Sequence, residues 1–409
     1  MIDKKYMDRY AKLLLKFGVA FQKGQKLVLE IPAEAKELAE SIQKEAAERG
    51  ARSVSLFYVD DTEDAALLLR DQIAFEAKMK DYREKLEKAL EGDSVSLAFV
   101  SPVPSVARIL KAEQQQEYSE WKNDLRNVVR KAIRGRRIQW CYACCPNSDW
   151  AMQVYPECSR EQALEKLWEK TVEFCYLDRE DPVETWLSCY DSLYRRTKWL
   201  NSLALESIHF WNHTGTDITV GLNPRCIWEG GLERESYDGT FYQCNLPSYE
   251  ICTTTHKTRT NGKVSASRPL YIHGSRVENF TLKFQNGRLV EIQAETGKEI
   301  LETVLSKDEG CHYLGEIAFV EKDIPIAKSG MVFGNTLLDE NAACHMALGC
   351  GFPGNIEGID SKDLIQVEKS GVNLSDVHLD FMFGTDDLCA DGYCENGTVV
   401  KLFRNGKFY

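Results

Sequence analysis

The sequence KLVLEI at residues 26–31 is a short apolar run typical of a buried strand. The next segment, Glu34–Arg49, is rich in Ala, Glu and Lys and predicts an amphipathic helix that ends at Gly50. A second apolar run, Val54–Val59, predicts another strand. Strand, helix and strand within ~30 residues form a βαβ unit, in which the two strands are parallel and the crossover is right-handed.

The rest of the first half repeats this pattern and predicts an open, largely parallel sheet. Apolar runs at residues 95–100 and 138–144 predict two further strands, and the charged stretch 113–137 between them predicts a helix. Residues 159–203 are again helical in composition. The loop after the first strand lacks a Gly-x-Gly-x-x-Gly motif, which gives a dinucleotide site little support. We therefore predict an N-terminal α/β domain over residues 1–205.

The second half changes to short strands separated by turns. Residues 208–222 predict two strands, and Asn286-Gly287 between two β-branched and aromatic runs predicts a hairpin. Asn405-Gly406 repeats this turn near the end of the chain. We therefore predict an α+β, β-rich catalytic domain over residues 206–409.

The charge and hydrophobicity of the chain argue against some classes of binding partner. The formal net charge of -12 argues against binding to nucleic acid or to an anionic membrane, which the protein would repel. No apolar run of about 18 residues predicts a membrane span. The first residues reach charged side chains at once and lack the apolar core of a signal peptide. We expect a cytoplasmic protein.

Fourteen cysteines are scattered irregularly along the chain. Cys141-x-x-Cys144-Cys145 is compatible with a zinc or a redox site, but a zinc ribbon needs a second pair at a suitable spacing. The interpretation we favour is small buried thiols, the usual role of free cysteine in a reducing compartment.

Three strand-like segments carry isolated polar groups. His378 and Asp380 are two residues apart, so in a strand both project from the same face. They form either part of a metal site or a hydrogen-bonded His–Asp pair. Glu316 lies in an otherwise apolar strand, where a charge is costly to bury without a cation or a metal. Glu250 precedes a strand that contains Thr253–Thr255.

A fourth segment combines Glu340 with His345. Asp339 or Asn341 can cap a helix over 342–348, which places Glu340 at its start and His345 one turn inside. The alternatives are a first-turn carboxylate favoured by the helix dipole and a buried core histidine.

Four acids and two histidines in one β-rich half suit two divalent cations that share a carboxylate. Two cations ~3.5–4 Å apart can ionise a water and polarise a carbonyl. Mixed imidazole and carboxylate ligands favour zinc, cobalt or manganese over calcium. Spacing alone leaves open whether the six residues meet in space.

Several multi-residue motifs follow one another along the chain. They are Tyr10–Leu14, Gly24–Val28, Asp181–Trp186, Gly215–Leu222, Asn245–Thr254, Leu314–Glu316, Asp339–His345 and His378–Met382. In these motifs the chain resembles the aminopeptidase T / aminopeptidase S family of dinuclear metallo-aminopeptidases, also called thermophilic metalloproteases. The resemblance covers essentially the whole length.

The resemblance implies a site and a reaction. It implies that a metal-bound hydroxide removes the N-terminal residue of a peptide and that the free α-amine binds a metal or a nearby carboxylate. It also implies a homodimer and two divalent ions per subunit, with Glu316 as the bridging ligand. The implied metal ligands are Glu250, Glu316, Glu340, His345, His378 and Asp380.

One position departs from the family pattern. The family has a tyrosine seven residues after His345, which stabilises the oxyanion through its hydroxyl, and this chain has Phe352. Losing one such donor typically costs ~10²–10³ in rate. The alternatives to an active aminopeptidase are a weakened member that binds metal and peptide, and a dinuclear hydrolase of another amide. Substitute donors by sequence are Lys257, Arg259, Tyr242 and Tyr249.

Overall fold

The computed structural model describes residues 2–134, 138–223, 225–231, 234–235, 239–272 and 274–409. Its α-helices are α1 (Lys4–Leu13), α2 (Lys36–Glu48), α3 (Asp61–Arg70), α4 (Gln72–Ala89), α5 (Ser105–Ile109), α6 (Ala112–Arg134), α7 (Ser148–Val154), α8 (Arg160–Phe174), α9 (Pro182–Asn201), α10 (Lys298–Leu305), α11 (Pro325–Lys328), α12 (Thr336–Asp339) and α13 (Leu364–Lys369). Its strands are β1 (Lys26–Pro32), β2 (Ser53–Val59), β3 (Ser94–Val100), β4 (Gln139–Cys144), β5 (Leu205–Trp211), β6 (Asp217–Gly221), β7 (Arg234–Glu235), β8 (Phe241–Tyr242), β9 (Asn245–Leu246), β10 (Ile251–Thr254), β11 (Asn261–Ser265), β12 (Leu270–Ile272), β13 (Ser275–Gln285), β14 (Arg288–Thr296), β15 (Leu314–Phe319), β16 (His345–Gly349), β17 (His378–Met382), β18 (Cys389–Cys394), β19 (Val399–Arg404) and β20 (Lys407–Phe408).

The chain divides into two compact units. Unit 1 comprises Met1–Ser188 and Leu232–Ser248, and unit 2 comprises Cys189–Gly231 and Tyr249–Tyr409. The domains expected from sequence, 1–205 and 206–409, stay a prediction.

Unit 1 contains a parallel sheet with the strand order β2-β1-β3-β4-β9. Leu27, Val28, Leu29 and Ile31 of β1 are fully buried, as an apolar run in the middle of a parallel sheet should be. The predicted βαβ unit is confirmed, because β1 and β2 pair in parallel and α2 connects them.

The predicted helices of the first half are also present. The helix expected at 113–137 is α6, and residues 135–137 lie outside the described part of the chain. The stretch 159–203 forms α8 and α9. A capping box, in which Ser159 and Gln162 each accept the other's backbone N–H, begins α8.

The three cysteines near the end of β4 are buried side chains of unit 1. Cys141, Cys144 and Cys145 are each no more than 1% exposed. Burial raises the pKa of the Cys141 and Cys145 thiols well above their usual range, so both stay protonated. This environment matches the core role that we favoured over a zinc or redox site.

Unit 2 contains two larger antiparallel sheets. One follows the order β12-β13-β11-β6-β5-β18-β19-β20, with β14 paired to β13, and the other follows β10-β15-β16-β17. Both Asn-Gly turns are confirmed as hairpins, with Asn286-Gly287 joining β13 to β14 and Asn405-Gly406 joining β19 to β20. The α/β first half and the β-rich second half are therefore both present.

The β13–β14 turn allows a test of the fold. Gly287 has φ +82°, and a Cβ there would collide with the carbonyl of Lys257. Gly287→Ala is expected to lower the free energy of unfolding by about 3 kcal/mol. Part of this loss comes from holding alanine in a left-handed backbone conformation, and the rest from the overlap of its Cβ with the Lys257 carbonyl. Gly397 is the matched control, since it has φ +79° and no heavy atom within 4 Å of its added Cβ. We expect Gly397→Ala to cost about 1 kcal/mol, and equal losses in urea unfolding would contradict this account.

No helix in the part of the chain that the structure describes is both long enough and apolar enough to cross a membrane.

Candidate metal centre

The four-stranded sheet of unit 2 brings the predicted ligands together. Glu316 lies on β15, His345 on β16, and both His378 and Asp380 on β17, while Glu250 immediately precedes β10. The strands are antiparallel and adjacent, so residues far apart in sequence share one face.

The strand register explains which side chains meet. Ala347 pairs with Glu316 on one side and with Asp380 on the other. His345 lies two residues from Ala347 and therefore projects from the same face. Ala347 has the smallest side chain that still carries a Cβ, which leaves space between the polar groups around it.

The helix predicted over 342–348 is wrong. Glu340 belongs to a single 3₁₀ turn, Glu340–Ala342, and His345 begins a fully buried strand. A short apolar run fits a buried strand and a buried helix equally well by periodicity, and here pairing with β15 and β17 decides it. Asp339 and Asn341 do not cap a helix there, because their side chains accept N–H groups of Phe333 and Tyr249.

Two groups of side chains could each hold a cation. The first is Glu250, Glu316 and His345, and the second is Glu316, His378 and Asp380, with one ligand atom from each residue lying within 4.8 Å of the others in its group. His345 Nε2 is 3.2 Å from Glu250 Oε2, and His378 Nε2 is 3.0 Å from Glu316 Oε2 and 3.3 Å from Asp380 Oδ1. Glu316 is common to both groups.

Backbone carbonyls orient both imidazoles. His378 Nδ1 lies 2.8 Å from the carbonyl oxygen of Cys350, and His345 Nδ1 lies 3.3 Å from that of Ala343. A carbonyl oxygen only accepts, so each Nδ1 carries the proton and donates it. Nε2 of each ring is then directed at the carboxylates, as in histidines that bind metals. Because these partners are backbone carbonyls, the residue types at Cys350 and Ala343 could not predict them.

The centre contains an excess of negative charge. Burial disfavours the charged imidazolium of His345, but Glu250, Glu316 and Asp380 outweigh burial and raise its pKa to about 10. The pKa of His378 is likewise raised, because Asp380 and Glu316 outweigh its burial. Burial raises the pKa of Glu316 despite the nearby His378. The carboxylates thus draw positive charge into a buried site, and divalent cations fit this donor set.

Glu340 lies near the same charges without belonging to either group. Burial raises the pKa of its carboxyl well above the usual range, and the charges of Glu250 and Asp380 raise it further. Its role as a metal ligand therefore stays a prediction.

Phe352 lies against the ring of His378. Its ring centroid is 5.0 Å from that of His378, whose side chain is 28% exposed. Its backbone N–H donates to Thr254 Oγ1 at 3.2 Å, which fixes the segment against β10. The ring carries no hydroxyl, so this position supplies no side-chain hydrogen bond.

The four substitute donors suggested by sequence differ in their surroundings. Arg259 donates to the carbonyl of Leu222 at 3.1 Å, and the Lys257 ammonium lies 4.8 Å from the centroid of the Tyr313 ring. Tyr249 is 5% exposed, and Tyr242 belongs to unit 1. Whether any of the four residues replaces the missing hydroxyl stays a prediction.

Comparison with known proteins gives one consistent result. The sequence model of the family described as thermophilic metalloprotease (M29) matches residues 3–408. Aminopeptidase AmpS of Bacillus subtilis (strain 168) is 34% identical over 407 residues, covering 98% of each chain. Aminopeptidase T of Thermus aquaticus is 33% identical over 408 residues, again covering 98% of each.

A solved structure shows the same fold over the full length. Wild-type AmpT from Thermus thermophilus superposes with a TM-score of 0.90 at 31% identity, covering 99% of both chains. Together with the family match and the sequence relatives, this similarity confirms the family resemblance found from the motifs. The chain therefore belongs to the thermophilic metalloprotease (M29) family of metallo-aminopeptidases.

Proposed function

We propose that the chain removes N-terminal residues from peptides at a centre that holds two divalent metal ions. The observation that carries the proposal is the pair of carboxylate–imidazole groups on one sheet face, with Glu316 common to both. A shared carboxylate is the arrangement expected where two cations lie ~3.5–4 Å apart. The names of the relatives, which are aminopeptidases, support this substrate class.

The proposed ligands are the six residues named from the sequence. Glu250 and His345 would hold one ion, His378 and Asp380 the other, and Glu316 would bridge the two. Glu340 completes the set from its 3₁₀ turn. With both histidines neutral, four carboxylates carry a formal charge of -4, which two divalent cations balance. Mixed nitrogen and oxygen donors favour zinc, cobalt or manganese.

Two ions bound there would polarise the scissile carbonyl and lower the pKa of a water. The residues of the chain supply position and polarity. Each imidazole is held by the hydrogen bond between its Nδ1–H and a backbone carbonyl, which fixes the direction of its Nε2. The ligand geometry is therefore set before substrate arrives. As the family resemblance implies, the free α-amine of the substrate would bind a metal or a nearby carboxylate, which would favour peptide N-termini over internal bonds.

A second candidate is a weakened family member that binds metal and peptide without efficient turnover. Phe352 favours it, because the ring beside His378 has no hydroxyl to stabilise an oxyanion. A third candidate, hydrolysis of another amide by the same centre, differs from the first only in substrate.

Metal analysis combined with a panel of aminoacyl anilides tests the proposal. We expect two ions per chain and hydrolysis of unblocked anilides, with no hydrolysis of N-acetylated ones. Undetectable hydrolysis with zinc, cobalt and manganese, despite two bound ions, would contradict an aminopeptidase and support the weakened member. Cleavage of blocked anilides would instead support a hydrolase of other amides.

Removing the metal is expected to abolish hydrolysis and lower the melting temperature. A ligand that binds only the folded state stabilises it, by about 2.7 kcal/mol at 100 times its Kd. Chelation also leaves the carboxylates repelling one another. Dialysis against a chelator, followed by thermal unfolding with and without added zinc, measures both effects. A melting temperature that is independent of metal would contradict a centre built for cations.

The assembly and location expected from sequence remain proposals. We propose a homodimer in the cytoplasm, with peptides as substrates and with neither membrane nor nucleic acid as a partner. Sedimentation velocity and cell fractionation test the first two statements, and a monomer at micromolar concentration would contradict the dimer.

A further inference from the structure

Asn341 is a buried side chain with both of its polar ends engaged. It is 0% exposed. Its Oδ1 accepts the backbone N–H of Tyr249 at 2.6 Å, and its Nδ2 donates to the carbonyl of Leu337 at 3.0 Å. One neutral amide thus joins two segments that are 92 residues apart in the chain.

Each of the two segments that Asn341 joins carries a carboxylate of the centre. Asn341 follows Glu340 directly, and Tyr249 directly precedes Glu250. On the other side of Glu340, the buried carboxylate of Asp339 accepts the N–H of Phe333 at 2.7 Å and that of Asn335 at 3.1 Å. The 3₁₀ turn that carries Glu340 is therefore held from both sides by buried side chains.

The position of the Glu340 turn depends on these contacts. A single turn of 3₁₀ helix has little stability of its own, so the hydrogen bonds of Asn341 and Asp339 fix where it lies. A neutral amide can bind the Tyr249 N–H at this place without adding a further negative charge.

We propose that Asn341 is a positioning residue of the metal centre, which fixes the Glu340 turn to the segment of Glu250 so that both carboxylates face the same cations. The inference rests on the proposed function, since it concerns ligands of that centre. Asn341 acts through its neighbours and need not contact metal or peptide. Losing such an outer partner typically weakens metal binding ~10–100-fold.

The experiment compares Asn341→Ala with Asn223→Ala. Asn223 is also a buried asparagine of unit 2 that joins two backbone segments, since it binds the Ser370 carbonyl and the Arg225 N–H. Zinc affinity is measured by competition with a chromophoric chelator, and unfolding of the metal-free proteins by circular dichroism. We expect Asn341→Ala to weaken zinc binding ~10–100-fold and Asn223→Ala to leave it unchanged, even where both lower the melting temperature.

The outcomes separate this inference from the proposed function. A wild-type protein that binds no zinc would contradict the metal centre itself. Wild-type zinc affinity in a folded Asn341→Ala protein would overturn the positioning role alone. Asn341→Ser, which retains a smaller polar group, is the second variant. If neither variant folds without metal, the proposal is also wrong, because Asn341 then serves the fold and not the centre.

Discussion

Glu316→Gln is expected to lower kcat/KM for an aminoacyl anilide by at least about 10³-fold, equivalent to about 4 kcal/mol of lost transition-state stabilisation. Glu316 is the member common to both candidate groups. An amide oxygen carries no formal charge, so it cannot replace a carboxylate between two cations. We therefore also expect bound metal to fall from two ions to one or none per chain.

The same change is expected to leave the metal-free protein nearly as stable as the wild type. Burial already raises the pKa of Glu316, which means that its charge is costly in the folded state. The substituted amide can still accept a hydrogen bond from His378, and that imidazole keeps Asp380 at 3.3 Å. Thermal unfolding without metal should therefore change little, while the increase in melting temperature on adding zinc should be smaller or lost.

Glu291→Gln is the control for this variant. Glu291 is an exposed strand carboxylate of unit 2 whose ion pair with Lys283 spans 3.8 Å in solvent. Such a pair contributes little to stability, so activity, metal content and melting temperature should match those of the wild type. Glu316→Gln that kept two ions and full activity would show that Glu316 does not bridge the proposed ions.

The sequence predicted the fold wherever a local pattern has one physical outcome. Asn286-Gly287 predicts a hairpin because both residues adopt positive φ there, at 50° and 82°. The apolar run of β1 predicts a strand buried on both faces. His345 shows the limit, because Ala342–Leu348 satisfies helix and strand patterns alike. Only its pairing with Glu316's strand and with β17 fixes its conformation.

Five of the six ligands expected from sequence lie in the two candidate groups, while Glu340 does not, and none of their geometry could be predicted. Motif order pointed to the six proposed ligands, but their proximity depends on a sheet whose strands are drawn from residues 251–382. No local spacing encodes that register. The carbonyls of Ala343 and Cys350, which orient the two imidazoles, have the same chemistry in every residue type. The Asn341 bridge required the structure for the same reason.

Phe352→Tyr is expected to raise kcat by about 10²-fold while KM changes little. The ring lies beside His378, with the two ring centroids 5.0 Å apart, so a hydroxyl added to it would enter the surroundings of a proposed metal ligand. A donor that stabilises charge developed only in the transition state raises kcat and leaves substrate binding nearly unchanged. Steady-state kinetics on the zinc-loaded proteins measure this effect.

Phe352→Leu tests whether a gain in the tyrosine variant comes from the added hydroxyl or from a change in the aromatic ring. It removes the contact with His378 and adds no donor, so we expect no gain in kcat. An increase in both variants would mean that the phenylalanine ring obstructs substrate and that the hydroxyl is not the deficit. An increase with tyrosine alone would locate the deficit in the oxyanion donor and support a weakened family member. An efficient wild type that tyrosine does not improve would show that another group stabilises the oxyanion, either a different donor or the metal ions themselves.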